Sequence, residues 1–325
     1  MKVINYLCAF LASFFVVACH SDINPQYDKG KLVSVSLSIN GDVSVDGDLP
    51  IEKSLSRVAG NDLIGVQVYY KSKEDKDPYK PFAYGLFDDL TSAQVSLYDN
   101  MIYKVEATTV ANGKNLIAQY SSYNYRAPFT LTGSADGAPV TNAFVRSSTI
   151  SFGGLSVGAS ALVEGTSYKS YTRPNTDRCW GQVVGFTPTG ANAIAITTKR
   201  VIFGVRFITE GLSEGALHIT ITGSPIIVVP SPDATSRDYY ITMQGSAAVA
   251  EGWIGVDYSE TVSVDVKWVK GDGVQIPVNV KNFTFKRGRL YPITVKLRNS
   301  ESSKGFTVDV DNSSLIEELN QTITQ

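Results

Sequence analysis

Residues 33–39 read Val33-Ser34-Val35-Ser36-Leu37-Ser38-Ile39, and the fold class can be inferred from this pattern. Its apolar residues fall on odd positions and its serines on even positions, which is the period-two pattern of a strand with one buried face. Asn40-Gly41 follows directly and favours a tight turn. The sequence therefore predicts an early β-strand that covers an apolar interior.

The same alternation returns along the chain, at Ile64–Tyr70, Leu217–Thr222 and Val262–Trp268. Hydrophobic residues make up 43% of the chain and charged residues only 18%, with little helical periodicity. This combination favours a mostly β fold, which we predict as two antiparallel β-sandwich domains in tandem with little helix. Near the end, Phe283 and Phe285 lead through Arg287-Gly288 to further alternation, which predicts a C-terminal hairpin.

The N-terminus carries one basic residue, Lys2, before an apolar run from Val3 to Val17. This pattern is typical of a signal peptide and is short for a membrane span. Val16-Val17-Ala18-Cys19 resembles a bacterial lipobox, which predicts a cleaved signal over residues 1–18 and lipidation of Cys19. The alternative is an ordinary secretory signal with an incidental cysteine. Two or more acyl chains hold a protein stably on a membrane.

The predicted domains are a tether at residues 19–31, an N-terminal sandwich at 32–177 and a C-terminal sandwich at 178–325. The boundary lies in residues 121–181, where clear periodicity is missing and Gly, Ser, Tyr and Pro are frequent. With Cys8 in the signal and Cys19 lipidated, Cys179 is the remaining thiol of the chain. No internal disulfide can then form, so each domain depends on its apolar core.

Two stretches resemble the fimbrillin-like lipoproteins of Bacteroidales, which form or decorate type V pili. One is residues 282–295, Asn-Phe-Thr-Phe-Lys-Arg-Gly-Arg-Leu-Tyr-Pro-Ile-Thr-Val, and the other is residues 57–70, where a basic residue precedes a strand. The resemblance implies a lipoprotein subunit that loses its first strand to a trypsin-like protease and accepts a strand from a partner. It implies cleavage after Arg57 and displacement of the strand that carries Val33, Val35, Leu37 and Ile39.

The donor strand implied by this resemblance would contain Phe306, Val308 and Val310, which alternate. After it, Ser314 and Glu317 form a capping box, and the spacing of Leu315 to Ile323 predicts a short terminal helix. A helical end departs from the extended tail of a polymerising subunit and leaves a tip or accessory subunit open. The expected partners are other pilus subunits or surface ligands, with a lipid anchor in the outer membrane and exposure at the cell surface or in a fimbrium.

Catalysis has little support in the sequence, because beyond the signal the chain has two histidines, His20 and His218, and neither belongs to a recognisable constellation. We therefore predict no enzyme activity, no cofactor and no metal site. Asp42, Asp46 and Asp48 could suggest calcium, but their spacing departs from a calcium loop and favours a turn. Net charge is −2 and the basic residues are scattered, which argues against nucleic acid.

Aromatic residues near the predicted domain junction leave a second function open. Exposed rings could stack on sugars, which would make the protein a surface glycan-binding lipoprotein without pilus assembly, whereas packing between domains would bury them. The residues concerned are Tyr120, Tyr123, Tyr125, Tyr168, Tyr171 and Trp180. Cys179, next to Trp180, is predicted to be a packed thiol because no basic partner can be assigned to it.

Overall fold

The computed structural model describes residues 30–41, 60–74, 76–117, 119–120, 124–133, 137–153, 155, 177–189, 193–222, 224, 226–231, 238–243, 258–297 and 321–324. Strands dominate these residues, and the described part of the chain contains a single short helix. The predicted mostly β fold is confirmed.

The elements follow one another from the N-terminal to the C-terminal half. The first half contains β1 (Leu32–Gly41), β2 (Leu63–Ser72), β3 (Lys80–Phe87), β4 (Gln94–Tyr98), β5 (Met101–Val110), α1 (Gly113–Leu116), β6 (Gln119–Tyr120), β7 (Asn124–Thr130), β8 (Gly137–Pro139) and β9 (Val145–Arg146). The second half contains β10 (Arg178–Phe186), β11 (Ala193–Arg200), β12 (Ile202–Glu210), β13 (Ala216–Ile221), β14 (Ile227–Pro230), β15 (Asp238–Thr242), β16 (Ser259–Val269), β17 (Gln275–Lys286), β18 (Leu290–Lys296) and β19 (Gln321–Thr324).

An eight-stranded sheet forms the N-terminal sandwich, in the order β4-β1-β11-β10-β5-β2-β3-β9. It closes around a cluster of buried residues, the N-terminal core, which includes Val35, Val66, Val95, Tyr103 and Ile194. This core forms because alternate residues of strands far apart in the chain point to the same side.

The predicted domain boundary at residues 177/178 cuts through this sheet. Strand β10 pairs with β5 from Arg178↔Val110 to Phe186↔Tyr103, and β11 pairs with β1. Their hydrogen bonds place both strands in the N-terminal sandwich, although they follow the loop-rich region that suggested the boundary. We therefore place the end of the N-terminal domain at Arg200.

A small sheet of β6, β7 and β8 lies beside the eight-stranded sheet. It contributes to a second buried cluster, the junction core, which includes Leu63, Val110, Phe129, Trp180 and Val201. Strand β2 is consequently buried on both faces over its first six residues. The strand predicted at Ile64–Tyr70 is thus present as β2.

The C-terminal sandwich consists of two four-stranded sheets, β15-β12-β18-β19 and β14-β13-β16-β17. The sheets enclose a third core, in which the rings of Phe203 and Phe285 stack with centroids 4.3 Å apart. The strands predicted at Leu217–Thr222 and Val262–Trp268 are present as β13 and β16. Their alternation correctly identified one dry face and one wet face.

The predicted C-terminal hairpin is wrong, because β17 pairs with β16 and β18 pairs with β12 in the opposite sheet. Both strands direct their apolar residues into the same core, so they face each other across it instead of pairing edge to edge. The rings of Phe285 and Tyr291 lie 4.9 Å apart in an edge-on arrangement. Gly288, with φ of 71°, forms the turn between the two sheets.

A tyrosine closes this turn, and the N-terminal sandwich uses the same device. The backbone N–H of Lys286 donates to the hydroxyl of Tyr291 over 2.8 Å, and the N–H of Tyr98 donates to the hydroxyl of Tyr103 over 2.7 Å. Each tyrosine follows its donor by five residues. The two sandwiches thus share a corner that the sequence did not reveal as a repeat.

Three strand pairs in the described part of the chain are parallel: β1 with β11, β12 with β18, and β18 with β19. The last pair corrects the predicted terminal helix, since Gln321–Thr324 form a strand beside β18. An open sheet edge offers unpaired backbone groups, and pairing with such an edge outweighs the helical preference of a short segment. Residues 298–320, including most of the predicted helix, lie outside the described ranges.

We expect Tyr103→Phe and Tyr291→Phe each to lower the free energy of unfolding by about 1–2 kcal/mol, because each leaves a backbone N–H at a corner without its acceptor. Urea unfolding followed by circular dichroism would measure the loss. Tyr79→Phe is the matched control, since the Tyr79 ring is only half-buried, beside Lys71, and lies at neither corner. Equal stability of all three variants would show that the corner hydrogen bonds contribute nothing.

Candidate functional site

The candidate site is the position that β1 occupies, which we call the β1 slot and define by β4 on one side and β11 on the other. Strand β1 pairs antiparallel with β4 from Leu32↔Tyr98 to Ser36↔Gln94. It then pairs parallel with β11 from Ser36↔Ala193 to Gly41↔Thr198. The first strand of the described chain is therefore an inner strand of the sheet, paired with β4 over its first half and with β11 over its second half.

Four apolar residues of β1 face inwards, and each pairs with an apolar residue of a neighbouring strand. Val35 and Leu37 are 0% and 6% exposed, while Val33 and Ile39 are half-buried towards the two ends. Their cross-strand partners are Leu97 for Val33, Val95 for Val35, Ile194 for Leu37 and Ile196 for Ile39. The slot is thus an apolar trough that accepts a side chain at every second position.

The opposite face of β1 is polar and exposed. Ser34, Ser36 and Ser38 are all exposed, and the Ser34 hydroxyl donates to Gln94 Oε1 over 3.0 Å. At the start of the strand, the N–H of Lys31 donates to Asp99 Oδ1 over 2.9 Å and the N–H of Asp99 donates to the Lys31 carbonyl over 3.0 Å. A strand in the slot is therefore selected mainly by the side chains on its inner face and by its backbone hydrogen bonds.

Sequence reasoning identified the β1 side of this site but missed its partner on β11. Residues 193–196 read Ala-Ile-Ala-Ile, and this alternation is a usable strand signal. This signal could not indicate pairing with β1. The paired residues Ser36 and Ala193 are 157 residues apart, and no local sequence pattern identifies a parallel partner at that distance.

Several expected site residues lie outside the described part of the chain. These are the lipidation candidate Cys19, the cleavage candidate Arg57, the donor candidates Phe306, Val308 and Val310, the tether residue His20, and the acidic residues Asp42, Asp46 and Asp48. Their roles remain predictions.

The aromatic residues expected near the junction are buried where the structure describes them. Tyr125 is 8% exposed and Trp180 is 1% exposed, and both belong to the junction core. Packing is therefore the role of these two rings, and neither presents a face to a sugar. The side chains of Tyr120, Tyr123, Tyr168 and Tyr171 fall among the residues that are not described.

A buried polar residue that the sequence did not single out organises the same region. Gln67 is fully buried in β2, and its side-chain amide donates to the carbonyls of Val68 and Ala83 over 3.1 and 3.0 Å. Its side-chain oxygen accepts from the N–H of Phe152 over 3.0 Å. These bonds attach the segment around Phe152 to the sheet, which is a structural role.

His218 is a half-buried residue of β13 whose cross-strand neighbours are Val228 and Lys267. Burial first, and then the positive charge of Lys267, lower the pKa of His218. No group of three His, Cys, Asp or Glu side chains within the described ranges is placed to hold a metal ion. In the same residues, no helix has the length and apolar character needed to cross a membrane.

Cys179 is a free and buried thiol in β10. Burial first, and then the negative charge of Asp177, raise the pKa of the thiol well above its usual range. A thiol that stays protonated is a poor nucleophile. This environment agrees with the packed thiol predicted from the sequence.

We expect a soluble form of residues 20–325 to react with a thiol reagent at pH 8 only after unfolding in urea, since the Cys179 thiol is buried and protonated in the folded state. The absorbance released by Ellman's reagent would measure this. Ser34→Cys, which places a thiol on the exposed face of β1, should react at once and calibrates the assay. Rapid reaction of the parent protein would show that Cys179 is accessible.

Comparison with known proteins gives structural neighbours only. No protein-family model and no curated protein sequence matches the chain. Among solved structures, a candidate adhesin from Bacteroides ovatus is 10% identical, with 87% of this chain and 98% of that chain covered and a TM-score of 0.42.

Two further solved structures come from the same group of bacteria. A fimbrial assembly protein from Parabacteroides distasonis is 13% identical, with 83% and 93% of the two chains covered and a TM-score of 0.35. A candidate polysaccharide-binding protein from Bacteroides thetaiotaomicron is 12% identical, with 75% and 78% covered and a TM-score of 0.36. At these values the similarity concerns strand arrangement in general and assigns no activity.

Proposed function

We propose that this chain is a cell-surface subunit of a fimbrium or an adhesin that assembles by strand exchange at the β1 slot. In this proposal β1 occupies the slot until the chain is cut, and a strand from another subunit then replaces it. The observation that carries the proposal is the position of β1. It is an inner strand of the sheet, yet it lies at the start of the fold.

A strand in this position can leave without unthreading the rest of the chain. Residues 42–59 link β1 to the next described residue, Gly60, so one cut in that segment separates β1 from β2 and the strands that follow it. Every other contact of β1 is non-covalent. An inner strand between two later elements could not be removed by a single cut.

An empty slot would be unstable. Its walls are Val95 and Leu97 on β4 and Ile194 and Ile196 on β11, all of them at most 4% exposed while β1 is present. Burying a side chain such as Val35 or Leu37 contributes about 1.5–3 kcal/mol each. Loss of β1 would also leave two rows of unpaired backbone groups, which are a template for another strand.

The replacement strand must satisfy the same pattern as β1. It needs apolar residues at alternate positions for the trough and tolerates polar residues on the outer face, where the three serines of β1 are exposed. Phe306, Val308 and Val310 provide such alternation, and we propose that they enter the slot of a neighbouring copy. Arg57 is the proposed cleavage position, and Cys19 the proposed lipid anchor that carries the subunit to the outer membrane.

Limited digestion of residues 20–325 with trypsin tests release of the strand. We expect a cut after Arg57 that leaves a stable core beginning at Val58. This cut breaks the covalent link between β1 and β2 and leaves the later strands in one chain. Mass spectrometry identifies the new terminus, and Arg57→Gln should abolish that product. A chain that resists trypsin, or one that is degraded without a stable core, would contradict the proposal.

Uptake of a donor can be measured on the clipped core. A fluorescent peptide of residues 303–312 should bind as β1 leaves, and a matched peptide with serine at 306, 308 and 310 should not, since it cannot fill the trough. Fluorescence anisotropy reports the binding. Equal behaviour of the two peptides would show that the alternating residues do not direct it.

A disulfide lock identifies the site of uptake. The hydrogen bonds of Asp99 with Lys31 and of Leu37 with Ala93 place the hydrogen-bonded pairs on odd residues of β1, so Ser34 and Ser96 form a non-hydrogen-bonded pair. Such pairs have Cα atoms about 4.5 Å apart, within the range that a disulfide spans. Both side chains are exposed.

With Ser34→Cys and Ser96→Cys together, we expect the oxidised clipped protein to retain β1 and refuse the peptide, and the reduced protein to accept it. Ser34→Cys alone should accept the peptide under both conditions. Uptake by the oxidised double variant at the rate of the reduced one would show that the peptide binds elsewhere.

A further inference from the structure

We propose that the fold withstands mechanical tension: two parallel strand pairs, joined in series, resist a pull along the chain. The first is β1 with β11, and the second is β12 with β18. We call them the N-terminal clamp and the C-terminal clamp. The proposal rests on strand direction in the intact chain and does not require strand exchange.

The two clamps are connected without slack. Strand β11 ends at Arg200 and β12 begins at Ile202, so only Val201 separates them. Val201 is 1% exposed. Its N–H donates to the carbonyl of Arg178 over 2.9 Å, and its carbonyl accepts from the N–H of Met243 over 3.0 Å. Tension in β11 therefore passes directly into β12.

The N-terminal clamp is loaded in shear. A pull on the chain ahead of Lys31 draws β1 towards its own N-terminal end, while a pull through Val201 draws β11 towards its C-terminal end. Because the two strands are parallel, these forces slide one along the other. The register from Ser36↔Ala193 to Gly41↔Thr198 contains six residue pairs, and all of them share the load.

The C-terminal clamp has the same geometry. Strand β12 is pulled at its N-terminal end through Val201, and β18 is pulled at its C-terminal end when force is applied just after Leu297, ahead of β19, which pairs with the other side of β18. The register runs from Gly204↔Leu290 to Glu210↔Lys296, which is seven pairs.

Further contacts close both ends of the C-terminal clamp. At one end the N–H of Gly204 donates to the carbonyl of Arg289 over 2.8 Å, and at the other the N–H of Leu297 donates to the carbonyl of Glu210 over 2.7 Å. An ion pair between Lys296 and Glu210, 3.1 Å long, lies at this second end. The C-terminal end of β18 is therefore attached to β12 as far as Leu297.

A hairpin would behave differently under the same force. In antiparallel neighbours joined by a turn, tension on the free ends opens one residue pair at a time, so each pair carries the whole load in succession. Parallel pairing in both clamps avoids this peeling. Each hydrogen bond is individually weak, and resistance comes from loading many of them together.

Single-molecule pulling tests this proposal on residues 20–325. Handles on Lys31→Cys and Asn299→Cys load both clamps in shear. Handles on Ser213→Cys and Asn299→Cys load the C-terminal clamp at one end and should peel it. Cys179 is buried and does not compete for the handles. We expect a rupture force several-fold higher in the shear geometry at equal pulling speed, since forced unfolding follows the barrier to unfolding along the pulled direction.

A matched pair of variants separates clamp strength from general stability. Ile293 in β18 and Ile219 in β13 are both 0% exposed in the C-terminal core, but only Ile293 belongs to a clamp. Both substitutions to alanine should lower the thermal stability, and only Ile293→Ala should lower the shear rupture force of the C-terminal clamp. Equal rupture forces in the two geometries, or equal effects of the two variants on the shear force, would overturn the proposal. Neither result bears on strand exchange, which is measured by peptide uptake.

Discussion

Backbone pairing of β1 with two strands that are distant in the sequence is the interaction on which the N-terminal sandwich depends. Strand β4 lies about sixty residues further along the chain and β11 about one hundred and sixty, as the pairs Ser34↔Ser96 and Ser36↔Ala193 show. Strand β1 bridges them, so the sheet that encloses the N-terminal core is continuous only while the slot is filled. The integrity of the N-terminal sandwich therefore depends on one short segment, β1.

The sequence was sufficient to locate many of the strands but not to predict which strands pair with each other. Period-two alternation identified β1, β13 and β16, because each has one dry face and one exposed face. It also identified β2, at Ile64–Tyr70, but it did not show that the first residues of this strand are buried on both faces, between the N-terminal core and the junction core. Alternation states which face of a strand is dry, and it does not state which strand lies beside it.

The two errors of topology have this common origin. Phe283, Phe285 and Tyr291 alternate on both sides of a Gly turn, which favours a hairpin when only the sequence is considered. The same residues satisfy their burial equally well by facing one another across a core, and the tyrosine hydroxyl that accepts from Lys286 stabilises that crossing. The domain boundary was placed too early for a related reason, since β10 and β11 follow a long loop-rich region but complete the earlier sheet. In the candidate site, the sequence identified β1, the strand that fills the slot. Only the structure showed that β11 forms one wall of the slot.

The proposed strand replacement and the proposed resistance to load place opposite demands on β1, and strand direction reconciles them. A strand held only by non-covalent contacts can be exchanged when it leaves sideways, one residue pair at a time, as an incoming strand takes over its partners. The same strand resists a pull along its axis, because parallel pairing with β11 loads all of the shared pairs at once. Exchange and rupture therefore follow different directions with different barriers. A donor strand that enters the slot in the orientation of β1 would inherit the same resistance, so the exchanged junction would be as strong along the chain as the original one.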